Sequence, residues 1–170
     1  KGTDRSRFFR GEVDKYTWQE AGSSFLPGEL IAAFLWAQLE EADRITQQRL
    51  VSWQRYHDLL KPLEAKGILR CPIVPEKCQH NAHMYYVLLQ PGSDRQAVLN
   101  EFRRNDIWAV FHYVPLHSSP AGRRYGRAQG ALSQTDSVSE RLIRLPLFVG
   151  LTEEQQQEVV LVLERTLQQR

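Results

Sequence analysis

The sequence predicts a small α/β or α+β module: one long helix, then strand–helix–strand–helix–strand–helix, folded as a short sheet with helices packed on one side. Three observations predict it. Apolar residues recur at helical spacing from Leu30, Ala33, Phe34 and Ala37 through Ile45, Leu50, Trp53 and Tyr56 to Leu60. Two runs read as strands, Ala82–Leu89, dense in aromatic and branched residues and buried, and Ile107–Phe111. The last stretch opens with a capping box, Thr152 followed by Glu153 and Gln155, and then places Val159, Val160, Val162, Leu163 and Leu167 on one helical face through about Leu167.

Taken in order, residues 1–21 mix arginines with Phe8, Phe9, Tyr16 and Trp18 and show no period, which predicts a loop or short turns packing aromatics on a neighbour. The long helix comes after Gly22-Ser23-Ser24-Phe25, with Pro27 where a first-turn proline is tolerated. Leu30, Ile31, Phe34, Leu35 and Trp36 leave no polar face, so the first turns are expected to be buried. From Glu40 the pattern turns amphipathic and charge-rich, as on a surface. At ~1.5 Å per residue the element is on the order of 50 Å long. Free N–H groups and hydroxyls at its start attract anions, phosphate above all; a plain serine cap is the alternative. The helix is expected to end around Lys61-Pro62, with Gly67 closing any short continuation. Residues 71–77, with Pro72 and Pro75, are extended or looped and separate the helix from the strand-bearing part of the chain.

After the first strand, bounded by Pro91-Gly92, Ser93-Asp94 caps a helix whose apolar face is Val98, Leu99 and Phe102. The second strand runs into a His/Pro-rich loop, 112–120, then Ala121–Tyr125 and a Gly/Gln/Ser stretch to about Ser133. Ser137 or Ser139 is expected to start a short helix with Glu140, leading into Leu142–Leu147 as a third strand or extended run.

Composition bounds function. A chain of 170 residues, 42% hydrophobic and 25% charged, can bury a core and is one or two domains. A net charge of +2, dispersed and without interleaved aromatics, argues against a nucleic-acid footprint. No apolar run approaches ~20 residues, so no membrane span is expected. Two cysteines, Cys71 and Cys78, make no disulfide framework, and no signal peptide is visible, which leaves the cytoplasm as the expected compartment. The chain opens at Lys1 and its only methionine is Met84, so a processed chain or a fragment lacking the protein's beginning is expected.

Cys71, Cys78, His80 and His83 suggest a zinc site, but this spacing fits no common structural site, and loop residues with a strand-entry histidine are expected instead. His112-Tyr113-Val114-Pro115-Leu116-His117 is the more telling cluster. It sets two histidines and a tyrosine at a strand's C-terminal end, in a proline-stiffened loop of the kind that carries sites; a packed loop is the alternative. Arg123, Arg124 and Arg127 form a small basic patch, an anion site or a solvated face. No Gly-rich phosphate loop, nucleophile elbow or paired-carboxylate signature is present. A free-standing helix-plus-α/β module that binds a partner and does no chemistry is therefore one reading of the residues.

Several stretches, in order along essentially the whole chain, carry a resemblance: 5–11 (RSRFFRG), 13–18 (VDKYTW), 22–26 (GSSFL), 37–40 (AQLE), 81–84 (NAHM), 112–117 (HYVPLH), 139–142 (SERL) and 145–147 (LPL). Together they resemble the C-terminal half of a DegT/DnrJ/EryC1/StrS sugar aminotransferase. The Tyr/Pro/Leu/His loop and the Leu-Pro-Leu segment are general to that family, whereas 15–18 and 22–25 narrow it to a subgroup acting at C4 of a dTDP-sugar.

The resemblance implies a fold-type-I, pyridoxal-phosphate-dependent homodimer with each active site built from both subunits. Residues 1–26 would be the tail of the large domain, 27–67 the long inter-domain helix and 68–170 the small C-terminal α/β domain. Ser23 and Ser24 would meet the phosphate of the partner subunit's pyridoxal 5'-phosphate, although many relatives have asparagine at the position of Ser24. His112, Tyr113 and His117 would lie near the sugar or nucleotide diphosphate. The implied reaction moves the amino group of L-glutamate to the C4 keto group of a dTDP-4-keto-6-deoxy-sugar, for surface polysaccharide. A 3-dehydratase or 3-aminotransferase of the same family is the alternative. No catalytic residue and no metal are expected in this chain. The Schiff-base lysine belongs upstream, since Lys1, Lys15, Lys61, Lys66 and Lys77 all lack the family's Ser-Phe-His-x-x-Lys context, so the chain alone is expected to be inactive.

Overall fold

The computed structural model describes residues 7, 9–12, 25 and 27–168. The chain divides into two compact units, Lys1–Ala42 and Asp43–Arg170. In the first, helix α1 (Glu29–Glu40) starts at Gly28, whose carbonyl accepts from the Ala32 N–H at 2.9 Å, without a side-chain cap. The first turns, expected to be buried, are exposed. Leu30 is 89% exposed, and Ile31, Phe34, Leu35 and Trp36 are exposed as well.

The single long helix expected from the periodicity is also interrupted. Glu41 takes φ −102° and ψ 7°, its N–H turning to the carbonyls of Gln38 and Leu39, and a second helix, α2 (Ala42–Ala65), begins directly after it. The break falls where the sequence changes from all-round apolar to amphipathic. The expected 27–67 element is thus two helices, with the break next to the boundary between the units.

In the second unit α2 continues past Pro62, a proline in its last turn, to Ala65. Gly67, at φ +70°, ends it: its N–H donates to Glu64 O at 2.8 Å, and Ile68 N–H donates to Leu63 O at 3.0 Å. Strand β1 (Leu69–Arg70), too short to be seen in the sequence, pairs antiparallel with β2 (Tyr85–Leu89). Helix α3 (Arg95–Arg104) is capped as expected, with Asp94 Oδ1 accepting from Ala97 N–H at 3.0 Å. Strand β3 keeps only Val110–Phe111 of the expected run. A 3₁₀ turn (Leu116–Ser118) and helix α4 (Pro120–Tyr125) come next. Helix α5 (Ser133–Arg141) begins earlier than Ser137 and runs directly into β4 (Leu142–Leu145). The closing helix α6 (Glu153–Gln168) has the expected capping box: Thr152 N–H donates to Gln155 Oε1 at 3.0 Å, and Gln155 N–H donates to Thr152 Oγ1 at 3.3 Å.

The four strands form one antiparallel sheet in the order β1-β2-β4-β3, the α+β form of the module. Register places Tyr85 opposite Leu145 and Val87 opposite Ile143, so these four share a face with Leu89. That face meets Tyr56, Leu60 and Leu63 of α2, Val98, Leu99 and Phe102 of α3, and Val159, Val162 and Leu163 of α6 in one core. Gln156 is a polar tie within it, fully buried, donating to Ser52 O and accepting from Arg55, each at 2.8 Å.

Burial raises the Tyr56 and Tyr85 phenols and the Cys71 thiol above their ordinary values, Tyr85 also feeling Cys71 beside it. All three stay neutral in the fold but ionise more readily in the unfolded chain. Their contribution is therefore complete below the ordinary thiol value of 9.0 and is lost as pH rises through the raised values. The melting temperature of the complete protein is expected to fall above that pH, and Tyr56→Phe is expected to flatten the fall. An unchanged alkaline slope in the variant would show that the phenol does not couple to unfolding.

Candidate functional site

The site is built where the chain leaves the edge strand β3. Pro115 (φ −57°) precedes the 3₁₀ turn, and Ser118 Oγ donates back to Pro115 O at 3.1 Å. Ser119 Oγ donates to Leu116 O at 2.7 Å and accepts from Gly122 N–H at 3.0 Å, while Pro120 occupies the first turn of α4. A Cβ on Gly122 would stand 1.6 Å from Leu116 O, so only glycine allows this close approach. The loop is therefore held by its own backbone and serines.

Two further side chains, His117 and Arg95, tie it to the sheet unit. His117 Nε2 lies 3.0 Å from Asp136 Oδ1 and joins the 3₁₀ turn to α5. The Arg95 guanidinium sits 5.2 Å from the Phe111 ring centroid and also donates to Ser139 O, linking α3, β3 and α5. Upstream, Arg49 donates to Ala82 O at 3.0 Å and to His83 O at 2.7 Å, holding the 81–84 segment, in which Ala82 takes φ +50°.

Two cavities open beside this loop. One, of about 550 Å³, is mostly apolar and is lined by His112, Tyr113, Pro115, Val138, Ser139 and Leu142, among others. The other, of about 810 Å³, is lined by His117, Arg123, Arg127, Gln129 and neighbours. Leu116 and Thr135 line both, so the cavities adjoin. The His112 and Tyr113 rings meet edge-on with centroids 5.0 Å apart. His112 Nδ1 is buried without a hydrogen-bond partner among the described residues, whereas the Tyr113 side chain is 80% exposed. The exposed Tyr113 ring gives a ligand an aromatic face with a polar tip.

Of the residues singled out in the sequence, His112 and Tyr113 thus share one cavity and His117 lines its neighbour. Ser23 and Ser24 lie outside the described residues. No local pattern marks Asp136 as the partner of His117, or Thr135 between the cavities, because both come from α5 by tertiary folding. The Cys/His group is dispersed: Cys71 is buried, Cys78 is exposed, and His80 packs edge-on against Trp53 at 4.5 Å. Among the described residues no group of three or more Cys, His, Asp or Glu side chains could hold a metal, and no helix is long and apolar enough to cross a membrane.

The DegT/DnrJ/EryC1/StrS aminotransferase family pattern matches residues 4–164. The chain belongs to that family. It is 31% identical over 153 residues to a pleiotropic regulatory protein of Geobacillus stearothermophilus, covering 88% of this chain and 40% of the relative. It is 26% identical over 158 residues to the dTDP-3-amino-3,4,6-trideoxy-alpha-D-glucose transaminase of Micromonospora megalomicea subsp. nigra, covering 92% of this chain and 41% of that one. Among solved structures, the PLP form of Spr1654 from Streptococcus pneumoniae superposes with a TM-score of 0.77 at 19% identity, over 92% of this chain and 39% of that chain. The aminotransferase fold expected from the resemblance is therefore the fold observed. The chain spans about 40% of the length of the curated relatives it matches.

Proposed function

We propose that this chain is the C-terminal part of a pyridoxal-phosphate-dependent sugar aminotransferase that moves the amino group of L-glutamate to the C4 keto group of a dTDP-4-keto-6-deoxy-sugar. Its narrowest form is a dTDP-4-amino-4,6-dideoxygalactose transaminase, acting in the cytoplasm to supply surface polysaccharide. Residues 1–26 then end the large domain, 27–67 connect, and 68–170 form the small domain. The single observation that supports the reading best is the family match from residue 4 to residue 164, which runs through the loop that builds both cavities.

Neither cavity is lined by a lysine, aspartate or glutamate, so the described residues do not by themselves form a cradle for pyridoxal phosphate. When bound, that cofactor would supply the electron sink and carry the amino group between substrates. The lysine and the acidic partner of its ring belong, on this reading, to the portion upstream, and Ser23 and Ser24 to its phosphate across a homodimer. No chemical step is assigned to this chain. Its own residues bind and orient: Tyr113 offers the sugar an aromatic face and a hydroxyl, His112 lines the same cavity, and His117 is steadied by Asp136. The exposed apolar surface of α1 supports a helix made to be covered in the complete homodimer.

A second reading, amination at C3, is favoured by the C3 transaminase among the relatives. The complete protein, supplied with pyridoxal phosphate, L-glutamate and dTDP-4-keto-6-deoxyglucose, is expected to give 2-oxoglutarate and a C4-amino sugar by NMR. Starting from the isomeric 3-keto sugar nucleotide, a C3-amino product with no C4 amination would establish the second reading. A 3-deoxy product without nitrogen would mark a dehydratase. With no conversion of either sugar nucleotide, a non-catalytic binding module would stand in place of both.

A further inference from the structure

We propose that Arg95 is a positioning residue: from α3 it braces the two walls of the cavity of about 550 Å³ and so sets the width available to the sugar substrate. The substrate assignment rests on the proposed aminotransferase function; the brace does not. Arg95 lines neither cavity, so it acts through the walls and not on a ligand.

The two walls are held very differently. One, from His112 to Leu116, leaves the paired strand β3 and runs into the 3₁₀ turn, where Ser118 and Ser119 bond its own backbone. The other is α5, which contributes Gln134, Thr135, Val138 and Ser139. That helix has no buried residue, whereas α2, α3 and α6 each bury several. It also follows a Gly/Gln/Ser stretch and has no side-chain cap at Leu132. An element with so little apolar burial takes little of its placement from the core, so polar ties decide where it sits. Among the described residues three side-chain ties join α5 to other elements. His117 meets Asp136 at 3.0 Å, Arg95 donates to Ser139 O, and Arg141 donates to Leu89 O at 2.9 Å.

Arg95 differs from the other two in what else it touches. Its guanidinium lies 5.2 Å from the ring centroid of Phe111, the residue directly before His112. Phe111 is paired with Ile143 on β4, so the ring is fixed to the sheet. One side chain thus refers the placement of α5 to a strand that cannot shift, at the point where the opposite wall begins. The His117–Asp136 pair does the equivalent at the 3₁₀ turn. Guanidinium chemistry suits the task. Its planar face covers an aromatic ring while its N–H fork donates in the plane, and a lysine ammonium has the charge without the face or the fork.

The test compares R95M, R95K and R103Q in the complete protein. Arg103 is an exposed residue of the same helix, so R103Q removes a like charge without touching either wall. R95M is expected to raise KM for the keto-sugar nucleotide about tenfold, the size of a lost charge-assisted hydrogen bond, while 2-oxoglutarate release from L-glutamate alone keeps its wild-type rate. R95K is expected to fall between R95M and wild type, and R103Q to match wild type. Hydrogen exchange reads the brace without turnover: amides of residues 133–141 are expected to exchange faster in R95M, with those of α6 unchanged. If R95M does not fold, R95K carries the same comparisons. Unchanged exchange over 133–141 would overturn the brace. Faster exchange with an unchanged KM would overturn its role in placing the substrate. An equal rise in KM for R103Q would assign the effect to long-range charge, and equal losses in both half-reactions with a lower melting temperature would assign it to general stability; either overturns the positioning role. The aminotransferase reading fails separately, by the absence of 2-oxoglutarate from wild-type protein and L-glutamate, and that failure leaves the exchange result to decide the brace.

Discussion

Gly122→Ala is expected to lower kcat/KM for the sugar nucleotide on the order of a hundredfold, the size of effect produced when a site is displaced by about 1 Å. The added methyl would lie 1.6 Å from Leu116 O and 2.7 Å from its carbonyl carbon, and neither backbone atom can move without moving the turn. Either α4 or the 3₁₀ turn must shift, and with them Leu116 and His117, which line the cavities. The stability cost of such overpacking is about 1–3 kcal/mol, so the fold survives while the site is displaced. Steady-state kinetics of the variant and of wild type, with a melt of each, decides it. Wild-type kinetics in Gly122→Ala would mean that the loop is not part of the site.

Phe102→Ala is expected to cost about 3–5 kcal/mol, the range for emptying a fully buried aromatic position. Phe102 has no exposed surface and sits in the core where α3 meets the sheet and α6. The loss is expected as a lower denaturation midpoint of the complete protein. Phe102→Leu, which keeps most of the volume, is expected to lose less than about 1.5 kcal/mol. Equal losses in the two variants would show that the cavity is not what costs.

These two expectations come from different parts of the path from sequence to structure. Phe102 is legible locally: Asp94 capping Ala97, then Val98, Leu99 and Phe102 at helical spacing, is a pattern that tertiary folding has only to use. The capping box at Thr152 is legible for the same reason. Gly122 is not, because its contact is a carbonyl placed by a turn that nothing in the spacing announces. Strand lengths are no more legible. Ile107–Phe111 has strand composition, but only Val110 and Phe111 find partners, opposite Arg144 and Ile143 on β4. β1 has two residues and exists because β2 pairs with it. The long helix reads as continuous because helical periodicity carries across Glu41, while the backbone turn there depends on local hydrogen bonds to Gln38 and Leu39.

The candidate site is half legible. His112, Tyr113 and His117 stand out by type and by their proline-stiffened loop. What gives them chemical surroundings comes from α5, beyond the reach of local pattern: Asp136 against His117, Thr135 between the cavities, Ser139 at the wall. The arginine run is visible as charge, but only the fold separates Arg123 and Arg127 from Arg124.

The most direct measurement is the first half of the proposed reaction, without any sugar. Complete protein loaded with pyridoxal phosphate and mixed with L-glutamate is expected to release one 2-oxoglutarate per bound cofactor and then stop, resuming only when the keto-sugar nucleotide is added. Protein that binds the cofactor yet releases no 2-oxoglutarate would contradict the aminotransferase function.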